Sequence, residues 1–177
     1  MKPSLEQLIV DCKSGKSKAQ RTLFEMYERR FYAMSLRYAR TTADAEDIVI
    51  QGFTKIFSNI NSFKDGNFES WMRTIIVNEA LSLYRKDQKQ TWNNGAPPDE
   101  HIKSNDFNVL DTLGMGDLLL IIQDLPEGSR VVFNLFAIEG YGHKEIAEML
   151  NINEGTSKSQ YSRAKELLKN KLTPLES

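Results

Sequence analysis

Near the carboxyl end, Lys158, Ser159, Ser162, Arg163, Lys165 and Lys169 fall within about 160° of one helical face at 100° per residue, while Tyr161, Ala164 and Leu168 gather opposite them. Such a face suits the major groove of DNA: Arg and Lys donate to guanine edges and phosphates, and short hydroxyl side chains approach the bases closely. A surface helix with a solvated basic side has the same pattern. The preceding segment favours DNA. Ile146 and Leu150 are spaced to face a core, Ala147 is small enough for a close helix crossing, and Asn151-Ile152-Asn153 makes a tight turn whose last residue can cap the next helix. Residues 144–168 thus read as a helix-turn-helix.

A second cluster lies in the front half, where SNINSFKDGNF runs into ESWMRTIIVNEALSLYRK. A glycine-containing aromatic loop feeding a helix with Trp71, Asn78, Arg85 and Lys86 suits the capture of unstacked bases: a ring stacks on the base, and an amide reads its edge. Taken alone, Phe63, Phe68 and Trp71 could equally be core.

Other chemistry is poorly supported. Gly15-Lys16-Ser17 resembles the end of a phosphate-binding loop, but Val10 stands where the first glycine belongs and no strand precedes it. His101 and His143 lie in unlike contexts, so no metal site, cofactor or enzymatic activity is expected, and His143 reads as an exposed residue opening a helix. Cys12 is the only cysteine and excludes an internal disulfide. No run approaches eighteen apolar residues, so a soluble, intracellular and cytoplasmic protein is expected.

The elements that must position these groups are helical. Leu23, Tyr27, Phe31, Met34 and Tyr38 repeat at three to four residues, as do Ile48, Phe53, Ile56 and Ile60, and no period-two alternation is sustained. Ser4 and the acids Asp44, Glu46 and Asp47 mark helix starts. Helices are expected near 4–13, 17–40, 43–59 and 67–86. From Asp87 to about Leu113 the periodicity stops amid Asn-Asn-Gly and Pro-Pro, and about four short helices follow. With 177 residues, 40% of them hydrophobic, the chain can bury one core or two small ones. The expected fold is all-α: two small helical domains at 1–87 and 114–172, a flexible acidic linker at 88–113 and a tail at 173–177.

The net charge of −1 conceals a pattern. Residues 91–125 hold Lys103 against Asp99, Glu100, Asp106, Asp111, Asp117 and Asp124, whereas 155–172 carry five basic residues against Glu166. An acidic middle is repelled by DNA and a basic stripe is drawn to it.

In this order, DAEDIVIQGFTKIF, SFKDGNFESWMRTIIVNEALSLYRK and DLPEGSRVVFNLFAIEGYGHKEIAEMLNINEGTSKSQYSRAKELL resemble the sigma-70 family of RNA polymerase subunits, specifically its short extracytoplasmic-function group. The resemblance runs from about Ala19 to Leu172. It implies a transcription initiation factor without catalysis of its own, with core RNA polymerase, promoter DNA and an anti-sigma factor as partners, no membrane insertion, and a monomer when free.

In the N-terminal domain, the resemblance places polymerase contacts at Asp44, Asp47, Ile48, Gln51 and Phe53. It places a flipped minus-ten base and its surrounding loop at Phe63, Lys64, Asn67, Phe68, Asn78, Arg85 and Lys86. In the C-terminal domain, Thr156, Lys158, Ser159, Ser162, Arg163 and Lys165 would read the minus-thirty-five element. The chain departs from the family at Ile50, Gln51 and Gly52, where a glutamine and an acid are usual, and at Ser157, where valine is usual. Gly52 costs a helix about 1 kcal/mol relative to Ala.

In the family the linker threads the catalytic channel of the polymerase. About 27 flexible residues have an r.m.s. span on the order of 30 Å and can bridge promoter sites roughly 70 Å apart when the domains fill part of the gap. Joined in this way, two weak DNA contacts act as one tighter contact. A free-standing helix-turn-helix regulator, usually a dimer, would need neither polymerase nor the aromatic loop, and a protein-binding adaptor would not need the basic face.

Overall fold

The computed structural model describes residues 4–94 and 116–172. The acidic linker expected at 88–113 lies outside the described residues from 95 onward, as does the tail at 173–177. Four helices form the front unit: α1 (Leu5–Lys13), α2 (Ser17–Leu36), α3 (Thr42–Asn59) and α4 (Phe68–Asn94), with a 3-10 turn at Ile60–Ser62.

Their starts follow from local chemistry. The Ser4 side chain accepts a bond from the Gln7 amide at 3.2 Å. Thr41 and Asp44 form a reciprocal capping box on α3, at 3.1 and 3.0 Å, and Asn67 Oδ1 accepts from the Ser70 amide at 2.8 Å to open α4. α3 packs between α2 and α4, burying Leu23, Phe31, Ile48, Phe53, Ile56, Met72, Ile76 and Leu81.

Gly52 sits where α3 crosses α4. A Cβ there would press into the δ-methyl of Ile76, so the residue that departs from the family pattern permits a close helix approach. α4 also runs beyond the expected end near 86. Apolar periodicity stops there, but the polar residues that follow Asp87 can sustain a helix without a packing face.

The back unit comprises α5 (Gly116–Gln123), α6 (Glu127–Phe133) continued by a π turn (Asn134–Ile138), α7 (His143–Leu150) and α8 (Glu154–Leu172). α8 packs against α6 and α7. Asn151, at φ 55°, ends α7 in the left-handed region that asparagine tolerates.

The two units are packed together. α2 stops at Leu36, short of the expected 40, and the carbonyls at its end are completed by the back unit: Gln123 donates to Leu36 O, Asn134 to Arg37 O at 2.9 Å, and Arg130 to Tyr38 O at 3.4 Å. Glu139, with its side chain 3% exposed, pairs with both Arg37 (2.9 Å) and Arg73. Glu127 makes a bidentate pair with Arg40 at 2.8 and 2.7 Å and accepts from Gln88. Burial lowers the Arg130 pKa to about 10, and burial likewise lowers that of Arg37.

This seam is incompletely satisfied. Ser35 Oγ, Arg37 Nε, Tyr38 OH, Gln123 Oε1, Arg130 Nε and Asn134 Oδ1 are buried with no hydrogen-bond partner. Three come from residues 35–38 and three from 123–134, the segments that face each other.

Candidate nucleic-acid interface

α8 begins at the turn the sequence indicates. Asn153 Oδ1 accepts from the Thr156 amide at 2.7 Å and from its hydroxyl at 3.0 Å, so half-buried Thr156 is committed to the cap. Beyond it, Lys158, Ser159, Ser162, Arg163 and Lys165 are all exposed, whereas Ser157, Ala164 and Leu168 are buried.

Several of these groups are held in place. Lys158 pairs with Glu154 at 2.6 Å, one helical turn back, and the bond holds the Glu154 carboxyl below its ordinary pKa. Ser159 Oγ donates to Thr156 O at 3.0 Å. Lys165 lies 4.8 Å above the Tyr161 ring centroid. The outer face of α8 therefore presents cations and hydroxyls to solvent.

Ser157 has a specific partner. Its Oγ lies 2.9 Å from His143 Nδ1, and the His143 ring stacks on Phe136 at 4.3 Å between centroids. His143, expected to be exposed, is instead half-buried. The apolar seat made by Phe136 and Tyr161 was invisible in the sequence because Phe136 lies on another helix. Serine in place of valine thus satisfies a histidine that ties α7 to α8.

In the front unit, Phe63, Phe68 and Trp71 form one ring cluster, with Phe63 to Phe68 at 5.0 Å and Phe68 stacked on Trp71 at 5.5 Å. Phe68, at the end of the loop expected around a flipped base, is 4% exposed and belongs to the core. Phe63 is half-buried, with its carbonyl accepting from Lys13 Nζ. Lys64, Asn67, Asn78, Arg85 and Lys86 are exposed. Arg85 nevertheless bonds the back unit, donating to Met149 O at 2.9 Å.

On α3, Asp47, Ile50 and Gln51 lie on the outer stripe, with Ile50 54% exposed, and Asp44 is half-buried in the capping box. Ile48 and Phe53 are 3% and 2% exposed. In a helix of 3.6 residues per turn they share the inner face with Ala45, Val49, Gly52 and Ile56, away from the outer stripe. Among the described residues there is no group of three His, Cys, Asp or Glu able to hold a metal, and no helix is long and apolar enough to cross a membrane.

The sequence reading missed Arg37, Arg40, Arg73, Glu127, Arg130 and Glu139. Their pairings join residues up to 102 positions apart, and neither local periodicity nor charge patterning carries that information.

Comparison with known proteins finds one family on the two helical units. The model of Sigma-70 region 2 matches residues 23–90, and that of Sigma-70, region 4 matches residues 115–168. The ECF RNA polymerase sigma-E factor of Haemophilus influenzae is 27% identical over 188 residues, covering 96% of each chain. Its Escherichia coli namesake is 25% identical over 183 residues, covering 96% of this chain and 95% of the relative. CnrH, solved in complex with the cytosolic domain of CnrY, shares the fold at a TM-score of 0.52 and 21% identity, covering 94% of this chain and 96% of that one. With one family model on each helical unit and relatives aligned along nearly all of its length, the chain belongs to the sigma-70 family, in the extracytoplasmic-function group of RNA-polymerase-directing transcription initiation factors.

Proposed function

We propose that the chain directs core polymerase by dividing promoter recognition between its two units, residues 1–87 and 114–172, with 88–113 as the connection. The observation that carries this reading is the outer face of α8, where Lys158, Ser159, Ser162, Arg163 and Lys165 are exposed together above a buried inner face. That face reads the minus-thirty-five element in the major groove: the cations bond guanine edges and phosphates, and the serines approach the bases. Thr156 contributes by fixing the start of the helix.

The front unit takes the minus-ten element. Asn78 offers an exposed amide to a flipped base, Phe63 offers a ring edge at the rim of the aromatic cluster, and Lys64, Asn67, Arg85 and Lys86 hold the strand around it. The outer stripe of α3, with Asp47, Gln51 and exposed Ile50, docks on the polymerase.

A helical chain with these surfaces acts without catalysis of its own, in the cytoplasm where polymerase works. CnrH was solved with a partner's cytosolic domain, and by analogy an anti-sigma factor covers this chain's polymerase-binding surfaces. The acids of the connection stand in for nucleic acid in the polymerase channel. Neutralising Asp99, Glu100 and Asp106 together weakens holoenzyme assembly or shifts abortive synthesis, and unchanged behaviour in both would remove that role.

Run-off transcription with core polymerase, with and without the chain, on a pool of fragments from its own genome tests the whole reading. Specific transcripts that require the chain are expected. A chain that shifts duplex DNA alone and yields no transcripts would instead be a free-standing regulator.

A further inference from the structure

Arg37 and Arg73 converge on one carboxylate, Glu139, which arrives from the other unit and whose side chain is 3% exposed. On the far side of the pair, a cavity of about 240 Å³ is lined by Arg30, Arg37, Arg73 and Glu69. Arg30 there already holds Glu69 at 2.7 Å. Without Glu139, Arg37 and Arg73 would be two guanidiniums facing a single anion-sized gap, an arrangement that matches a tetrahedral phosphate as well as a carboxylate.

The surroundings connect this gap to nucleic acid. A second cavity, of about 250 Å³, opens along the seam between α4 and the back unit, lined by Ser70, Arg73, Thr74 and Val77 on one side and Ile138, Glu139 and Tyr141 on the other. Thr74 lies one turn before Asn78 on α4, so the covered flank adjoins the face assigned to the minus-ten strand. Arg85, on that same face, is occupied by Met149 O.

We propose that Arg37 and Arg73 form a binding site for a backbone phosphate of promoter DNA, which Glu139 plugs in the closed chain. Closure and promoter binding then compete. A compact chain of this length measures roughly 40 Å across, short of the roughly 70 Å between elements two duplex turns apart, so engaging both elements requires the units to part. The inference rests on assigning the neighbouring α4 face to DNA.

The test uses the full chain and a fluorescein-labelled random-sequence duplex with a central single-stranded bubble, titrated by anisotropy across a range of NaCl concentrations. Small-angle scattering is recorded in parallel. E139Q removes the plugging charge and should enlarge the radius of gyration, tighten binding severalfold, and steepen the log–log salt slope by about 0.7 to 0.9 for the one phosphate captured. Adding R37Q and R73Q to E139Q should leave the chain open and return the slope to its original value.

An E139Q chain that opens without a steeper slope, or stays closed with unchanged affinity, overturns the proposal. A second measurement needs no change at Glu139. In holoenzyme on fragments selected by run-off transcription, R73Q should reduce the salt slope of promoter binding by about one. Weaker polymerase capture with an unchanged slope would assign the arginine pair to polymerase instead. Wild-type run-off activity separates failure of this site from failure of the sigma reading.

Discussion

Replacing Gly52 with alanine sets two magnitudes against each other at the α3–α4 crossing. Alanine favours the helix by about 1 kcal/mol over glycine. Its Cβ, however, would lie 3.4 Å from Ile76 Cγ1 and 3.6 Å from Ile76 Cα, and far inside contact distance of the δ-methyl. Ile76 is 0% exposed, so that methyl has no solvent to move into. Overpacking of this kind costs about 1–3 kcal/mol, which gives a net loss near 1 kcal/mol for G52A.

I76V alone costs about 1 kcal/mol by deleting the same methyl. In the double mutant the colliding atom is gone while the helix propensity remains, so G52A should become stabilising by up to about 1 kcal/mol in the I76V background. The expected coupling is about 1–3 kcal/mol, well above what independent sites show. Urea unfolding followed by far-ultraviolet circular dichroism measures it, and melting should shift by roughly 2–4 °C per kcal/mol for a chain of this size. Equal destabilisation by G52A in both backgrounds would refute the account of Gly52 as the residue that lets the helices meet.

N78A should impair open-complex formation more than duplex binding, read as lost permanganate reactivity of promoter thymines; equal losses of both would remove Asn78 from the base pocket. S157A leaves the half-buried Nδ1 of His143 without its hydroxyl partner and should lower stability by about 1 kcal/mol; a thermal melt unchanged from wild type would show that the contact contributes nothing. Tyr84 supplies a pH dependence. Burial raises its pKa to about 12 from an ordinary value of 10, so below pH 10 both states hold the proton and its stabilisation is fully present. Between pH 10 and 12 the unfolded chain loses the proton first, and up to about 2–3 kcal/mol is lost as pH rises through that window. Unfolding of Y84F should depend less steeply on pH there, and an identical alkaline profile would contradict the assignment.

The local chemistry of this protein was legible in its residues. Caps at Ser4 and Asn153 fall where short polar side chains can reach amides three positions on, which sequence specifies directly, and the acid Asp44 marked the start of α3 although its capping partner Thr41 was not singled out. The two-sided character of α8 follows from 3.6-residue periodicity for the same reason. Family position was the less reliable guide to burial where it competed with periodicity: Ile48 and Phe53 hold contact positions by resemblance, yet their helical spacing puts them inside.

What tertiary structure alone decided is the closure of the two units. Glu139 meets Arg37 and Arg73, Glu127 meets Arg40, and Gln123, Arg130 and Asn134 complete the end of α2, all across separations that no short-range rule connects. His143 and Ser157 likewise find each other only once α7 and α8 pack. A helix fixes its own cap and face through neighbours within a turn, whereas the partner of a charge or the reason for a glycine is set by the surface that arrives from elsewhere in the chain.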